Sequence, residues 1–175
     1  IVLSKDNSYS LYISIPFCPS RCSYCSFVSH SIEKAADIMP EYVLLLCEEL
    51  KQTAEIAKRF NLRLETVYIG GGTPTTLSPE LLERVLRTVE NNFDFSYLRE
   101  FTVEAGRPDT ITEEKLKVLK NHSVSRISIN PQTMNDKVLE IIGRKHSSAE
   151  TVEAFKLARK LGFDNINMDL IAGLE

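Results

Sequence analysis

Five short β-rich runs alternate with helical patterns along this chain, and that alternation limits its possible folds more than any other feature. The runs cover residues 11–15, 65–69, 100–104, 126–130 and 165–171. Each is short, apolar and bounded by turn-forming residues. Residues 40–60 read as a helix that opens with Pro40 in its first turn and sets Val43, Leu46, Cys47, Leu50, Ala54 and Ala57 on one face. Ser78 and Pro79 start the next helix, with Leu82, Val85, Leu86 and Val89 as its buried stripe. Thr112 caps a shorter helix carrying Leu116 and Leu119, and a brief one is predicted over 136–142. Ser147 and Glu150 form a capping box for a last helix that carries Val152, Phe155 and Leu161 and stops at Gly162.

The order β-α-β-α-β-α-β-α-β implies parallel strands joined by right-handed crossovers. Two architectures satisfy it, a partial parallel (β/α) barrel and a doubly wound open sheet. Both gather their chemistry at the carboxyl ends of the strands. The whole of 1–175 reads as one domain, without internal repeat or linker. No helix follows the fifth strand and there is no initiator methionine. The chain is therefore expected to be a piece of a longer protein, lacking the last βα unit and a C-terminal domain and inactive alone. Its first and fifth strands would be open edges able to pair with another copy.

Formal net charge is −3, which gives no basic surface for nucleic acid. No apolar run is long enough to span a membrane, and the first residues lack signal-peptide order. Three of the four cysteines, Cys18, Cys22 and Cys25, fall in one C-x3-C-x2-C segment directly after the first strand. A secreted disulfide framework spreads its cysteines, whereas tight clustering reads as metal binding in a reducing compartment, here the cytoplasm. Three thiolates on one loop can hold three corners of a [4Fe–4S] cubane and leave the fourth iron open. Adding His30 gives C-x3-C-x2-C-x4-H, which also suits zinc, although the second paired unit usual in zinc sites is absent. Cys47, alone on an apolar helix face, reads as a core residue. Gly70-Gly71-Gly72-Thr73-Pro74 follows the second strand, where missing side chains let a ligand approach the backbone.

With these residues in place, the sequence resembles the radical S-adenosylmethionine (SAM) superfamily, whose signature is C-x3-C-x2-C. Within it, five blocks resemble the oxygen-independent coproporphyrinogen III oxidase-like family: LYISIPFCPSRCSYCSF, VYIGGGTPTTL, FTVEAGRPD, RISINPQTMNDKVLEIIGRKHS and NINMDLIAGLE. The resemblance implies a radical SAM barrel with Cys18, Cys22 and Cys25 on a [4Fe–4S] cluster. It implies SAM contacts from Tyr12, Tyr24, Gly71, Gly72, Thr73 and Glu104. Gln132, Arg144 and Asp169 resemble further SAM-binding positions, which in the oxidases serve a second SAM. The implied reaction is oxidative decarboxylation of coproporphyrinogen III propionates to vinyl groups, giving protoporphyrinogen IX. A reduced flavodoxin- or ferredoxin-like protein would supply electrons. Arg21 and Arg107 are candidate contacts for substrate carboxylates. The best-known oxidases carry a fourth cysteine two residues after the third, and Phe27 stands there in this chain. Branches without it include a haem-delivery protein, so haem binding and transfer is the alternative reading.

Overall fold

Each β-rich run becomes a parallel strand because its alternate apolar residues meet a single layer of helices. The computed structural model describes residues 2–27 and 30–174, so the outermost residues of the expected 1–175 domain, Ile1 and Glu175, lie outside the described residues. In chain order the elements are β1 (Ser8–Ile15), β2 (Phe17–Cys18), β3 (His30–Ser31), α1 (Ile32–Ala35), α2 (Met39–Arg59), β4 (Arg63–Gly71) and α3 (Pro79–Asn92). Then follow β5 (Glu100–Glu104), α4 (Glu113–Asn121), β6 (Arg126–Ser128), α5 (Asp136–Ile141), α6 (Ser148–Lys160) and β7 (Ile166–Asn167). Among the described residues, five strands form a parallel sheet in the order β1-β4-β5-β6-β7. The order follows the chain without the reversal that a doubly wound sheet requires. The structure is thus a segment of a (β/α) barrel wall, with β1 and β7 outermost.

Leu11, Ile13 and Ile15 of β1, Val67 and Ile69 of β4, Phe101 and Val103 of β5, and Ile127 of β6 share one core with the apolar stripes of α2, α3, α4 and α6. The intervening residues form the opposite face, and they are polar or aromatic. Ser10, Tyr12 and Ser14 lie there beside Thr66, Tyr68 and Gly70, with Thr102 and Glu104 next along. Helix α2 buries the six predicted residues, Cys47 among them. Ser78 and Thr112 cap α3 and α4 as expected, accepting from the Leu81 and Lys115 N–H groups.

Four local readings need correction. The first two strands extend beyond the predicted runs, because Glu65 sits at a register shift between β1 and β4 and lets pairing start earlier. Its carboxylate is satisfied by Ser4 and Ser8, which hold its pKa down at about 2. The last helix buries Thr151, Ala154 and Ala158, while Val152 points outward and Phe155 and Leu161 are only half-buried. Small residues form the buried face of this helix, which periodicity of large side chains does not register. The fourth strand stops at Ser128 rather than at 130, and the fifth is two residues long instead of 165–171. Gln132 adopts φ +68, breaking regular pairing, and the two segments continue through an irregular bridge of Gln132 with Leu170. A short parallel pair, β2 with β3, was also not foreseen.

His122, just past α4, ties that helix to α3. Its Nδ1 lies 2.6 Å from Glu90 and its Nε2 2.7 Å from Glu83. Burial opposes charge on the ring, but the two carboxylates outweigh it and raise the pKa. A pKa raised by folding stabilises the native state below the unfolded value and ceases to do so as pH rises through the folded value. Denaturant titrations from mildly acidic to mildly alkaline pH should therefore show stability falling, and His122→Gln should flatten that fall. At the other end of the domain, Ser147 and Glu150 form the full capping box. Ser147→Ala should cost about 1 kcal/mol in the same measurement.

Candidate functional site

At the carboxyl ends of the strands, the cysteine loop faces the loops after β4, β5 and β6 across a cleft of about 730 Å³ including its mouth. Cys18 closes β2 and sets its sulfur 3.5 Å from Thr73 Oγ1. Cys22 is buried, Cys25 is half-buried, and the Cys25 N–H donates to the Cys22 carbonyl in a tight turn. All three thiols are free and line this cleft. The loop is held from outside by the end of α5, where Ser23 N–H donates to the Ile142 carbonyl at 3.0 Å and Ser20 Oγ to that of Gly143 at 2.9 Å.

The glycine run lies directly beneath this loop. Gly72 N–H donates to the Ile15 carbonyl and Thr73 N–H to that of Phe17, at 2.9 and 2.7 Å. A Cβ on Gly72 would sit 2.7 Å from the Phe17 carbonyl oxygen and 2.8 Å from that of Ile15. Gly71 has φ +101, which an L side chain rarely adopts. The glycines are thus required first by the contact of one strand end with another, and the same bareness leaves their backbone open to the cleft.

Glu104 reaches the cleft from the end of β5. Burial raises its pKa, the Asp169 charge adds to the rise, and a hydrogen bond from the Tyr68 hydroxyl works against it. Tyr68 is a residue the sequence reading missed; the alternation of β4 was the available signal, since it puts Tyr68 on the polar face with Thr66 and Gly70. Asn130 was missed too. It is buried beside the cleft and accepts from the Asp169 N–H. Gln132 and Asp169 line the cleft as expected, held together by a hydrogen bond from Gln132 N–H to the Asp169 carbonyl. Tyr12 stands apart. It is 59% exposed, stacked on Tyr68, and does not line the cleft with the others.

Arg144 Nη2 donates to the Tyr24 hydroxyl at 2.9 Å, while its Nε and Nη1 are buried without a partner. Buried donors left unpaired are costly, so this arginine fits an acceptor arriving from the cleft, such as a carboxylate. Arg107 corrects its expected role. It is buried, and its fork is closed on Asp109 through Nε and Nη2, each 3.1 Å from a carboxylate oxygen. It is therefore not free to meet a substrate carboxylate. Arg21 is exposed and does not line the cleft.

Among the described residues, no three His, Cys, Asp or Glu side chains converge as ligands of a metal ion. His30 does not line the cleft with the three cysteines. The donor set itself, three free thiols on one flexible-spaced loop with unpaired Arg144 N–H groups nearby, suits an iron–sulfur cluster with an anionic organic ligand.

Residues 12–175 match the family model of the radical SAM superfamily. The chain is 45% identical over 166 residues to the oxygen-independent coproporphyrinogen-III oxidase-like protein HemZ of Bacillus subtilis, covering 94% of this chain and 33% of that protein. It is 43% identical to the heme chaperone HemW of the same organism, covering 94% of this chain and 42% of that one. It thus spans less than half the length of these relatives. Among solved structures, the coproporphyrinogen III oxidase HemN of Escherichia coli, titled a radical SAM enzyme, superposes with a TM-score of 0.81 at 26% identity, over 94% of this chain and 37% of that one. The order of the strands, the placing of the three thiols and these similarities agree, and the chain belongs to the radical SAM superfamily, with the coproporphyrinogen oxidase-like group as its relatives.

Proposed function

We propose that Cys18, Cys22 and Cys25 hold a [4Fe–4S] cluster and that SAM occupies the cleft between them and the strand ends, in a protein acting on a tetrapyrrole. The observation that carries this reading is the meeting of three free thiols with Glu104 and the unpaired Arg144 N–H groups on one cleft. When bound, the cluster supplies one electron to the SAM sulfonium and so yields the 5′-deoxyadenosyl radical. The chain's own part is to bind, orient and shield. Gly71, Gly72 and Thr73 present bare backbone to the methionine end of SAM. Glu104 accepts hydrogen bonds from the ribose hydroxyls, and Tyr24 offers its ring to the adenine. Gln132, Arg144 and Asp169 complete the far wall, where Arg144 meets a carboxylate. Tyr12, outside the cleft, acts only through its stack on Tyr68.

The substrate of this reading is coproporphyrinogen III. Hydrogen-atom transfer from the β-carbon of a propionate to the 5′-deoxyadenosyl radical would give 5′-deoxyadenosine, and loss of carbon dioxide with passage of one electron to a one-electron acceptor would leave a vinyl group; two such events would give protoporphyrinogen IX. Electrons for the cluster come from a reduced flavodoxin- or ferredoxin-like donor in the cytoplasm. A second reading, haem binding and transfer without decarboxylation, has particular support. Phe27 stands at the fourth-cysteine position, Arg107 is closed on Asp109, and relatives at 43% and 40% identity are named heme chaperones. Haem titration set against coproporphyrinogen turnover by the anaerobically purified protein separates the two.

Iron and sulfide analysis tests the common core. Wild-type protein should carry about four irons with broad absorbance near 400 nm, and Cys18→Ala, Cys22→Ala or Cys25→Ala should each lose most of both. Retention of iron by all three variants would refute the assignment. Glu104 gives a second test, because only its ionised form accepts from both ribose hydroxyls. Its raised pKa means that SAM affinity should fall on acidification, beginning above the ordinary carboxylate range. Glu104→Gln should weaken SAM binding by roughly tenfold at neutral pH and abolish that acid-side decline in equilibrium binding.

A further inference from the structure

We propose that Arg107 is a positioning residue for Cys22, holding the cysteine loop to the end of β5 and donating an N–H to the Cys22 sulfur so as to raise the reduction potential of the bound cluster. The inference rests on the cluster assignment above and adds a role that the three cysteines do not explain.

Arg107 is 3% exposed, in a region where an arginine without purpose would be expensive to bury. Asp109 takes the Nε and Nη2 edge of its guanidinium, at 3.1 Å to each oxygen. That bidentate grip fixes the plane of the group and leaves Nη1 to point at the cysteine loop. There Nη1 meets the Ser20 hydroxyl at 3.0 Å, the Ser20 carbonyl at 3.3 Å and the Cys22 sulfur at 3.8 Å. Behind the pair sits His146, its side chain fully buried and Nδ1 3.8 Å from Asp109 Oδ1. Burial lowers the His146 pKa, which keeps the ring from adding a competing cation.

The loop is therefore clamped on two sides. The end of α5 grips Ser20 and Ser23, and Arg107 grips Ser20 and Cys22. Cys22 is the one buried thiol of the three. A hydrogen bond to a coordinating sulfur withdraws electron density from it and favours the reduced cluster; such bonds are among the levers that set iron–sulfur potentials. Asp109 balances the guanidinium charge, so the directed N–H rather than net charge carries the effect. Cluster reduction by a protein donor is made easier as a result.

The test is a redox titration followed by electron paramagnetic resonance on anaerobically purified protein, with iron counted in each sample. Arg107→Gln should move the midpoint to a more negative potential and alter the spectrum of the reduced cluster. Arg107→Lys, which keeps the charge but not the fork, should shift it the same way by less, and it carries the test if the glutamine variant folds poorly. Equal midpoints at equal iron content would overturn the proposal while leaving the cluster assignment intact. Loss of iron with an unchanged midpoint in the clusters that remain would also overturn it, since Arg107 would then be scaffold alone. If the wild-type protein binds no cluster, both proposals fall together.

Discussion

The backbone contact between the end of β4 and the turn out of β1 is the constraint on which the rest of the site depends. Two hydrogen bonds, from Gly72 to Ile15 and from Thr73 to Phe17, bring the glycine run under the segment that starts the cysteine loop. No side chain larger than hydrogen fits at Gly72, because backbone atoms of Phe17 and Ile15 already occupy the Cβ position. This contact places Thr73 against Cys18. It also fixes where the loop leaves the sheet, and from there three residues bring the chain to Cys22. A site for thiol ligands and a site for a close-lying organic molecule are thus produced by one packing event.

The sheet divides the domain's chemistry in two. Its helix-facing side is apolar and close-packed, with Ile15, Phe101, Val103 and Ile127 at essentially zero exposure, and hydrophobic burial there supplies the stability. The opposite side carries hydroxyls, tyrosines and carboxylates, paired among themselves where they are near one another, as Tyr68 is with Glu104 and Ser10 with Thr66. In a barrel this is the inward side. A polar interior wall costs stability that the helix layer has to offset, and such a wall is retained when it orients ligands at the mouth.

Much of this was legible in the sequence, for identifiable reasons. The helices with strong apolar stripes and polar caps, α2 and α3, fall where periodicity and Ser78 put them, and Cys47 is the core residue its position on α2 implies. Eleven of the twelve expected ligand-side residues line one cleft, most of them at or just past the end of a strand, where a parallel sheet delivers its loops together. What the sequence concealed depended on neighbours in space. The buried face of α6 is made of Thr151, Ala154 and Ala158, and past β7 regular pairing gives way to the bridge of Gln132, at φ +68, with Leu170. Arg107 read as a contact for substrate carboxylates because the sequence does not show that its fork closes on Asp109, two residues on, and its remaining donor on Ser20, in a different loop. Tyr68 was hidden because an aromatic within a strand usually means packing, whereas this one directs its hydroxyl to Glu104.

The charges around the cleft are arranged with the same economy. Three thiolates on the cysteine loop would be a strong local concentration of negative charge, and two guanidinium groups border it: Arg107, its charge balanced by Asp109, and Arg144, with two donors unpaired. The carboxylates of Glu104 and Asp169 stand instead at the ends of later strands. A SAM molecule carries a sulfonium, an ammonium and a carboxylate. The cleft has a cationic and an anionic side, a make-up that suits the mixed charges of the proposed ligand. Arg107 differs from Arg144 in one respect that decides its part: its counter-ion is already in place, so it adds fixed direction to the site without adding net charge, and direction is what a hydrogen bond to sulfur requires.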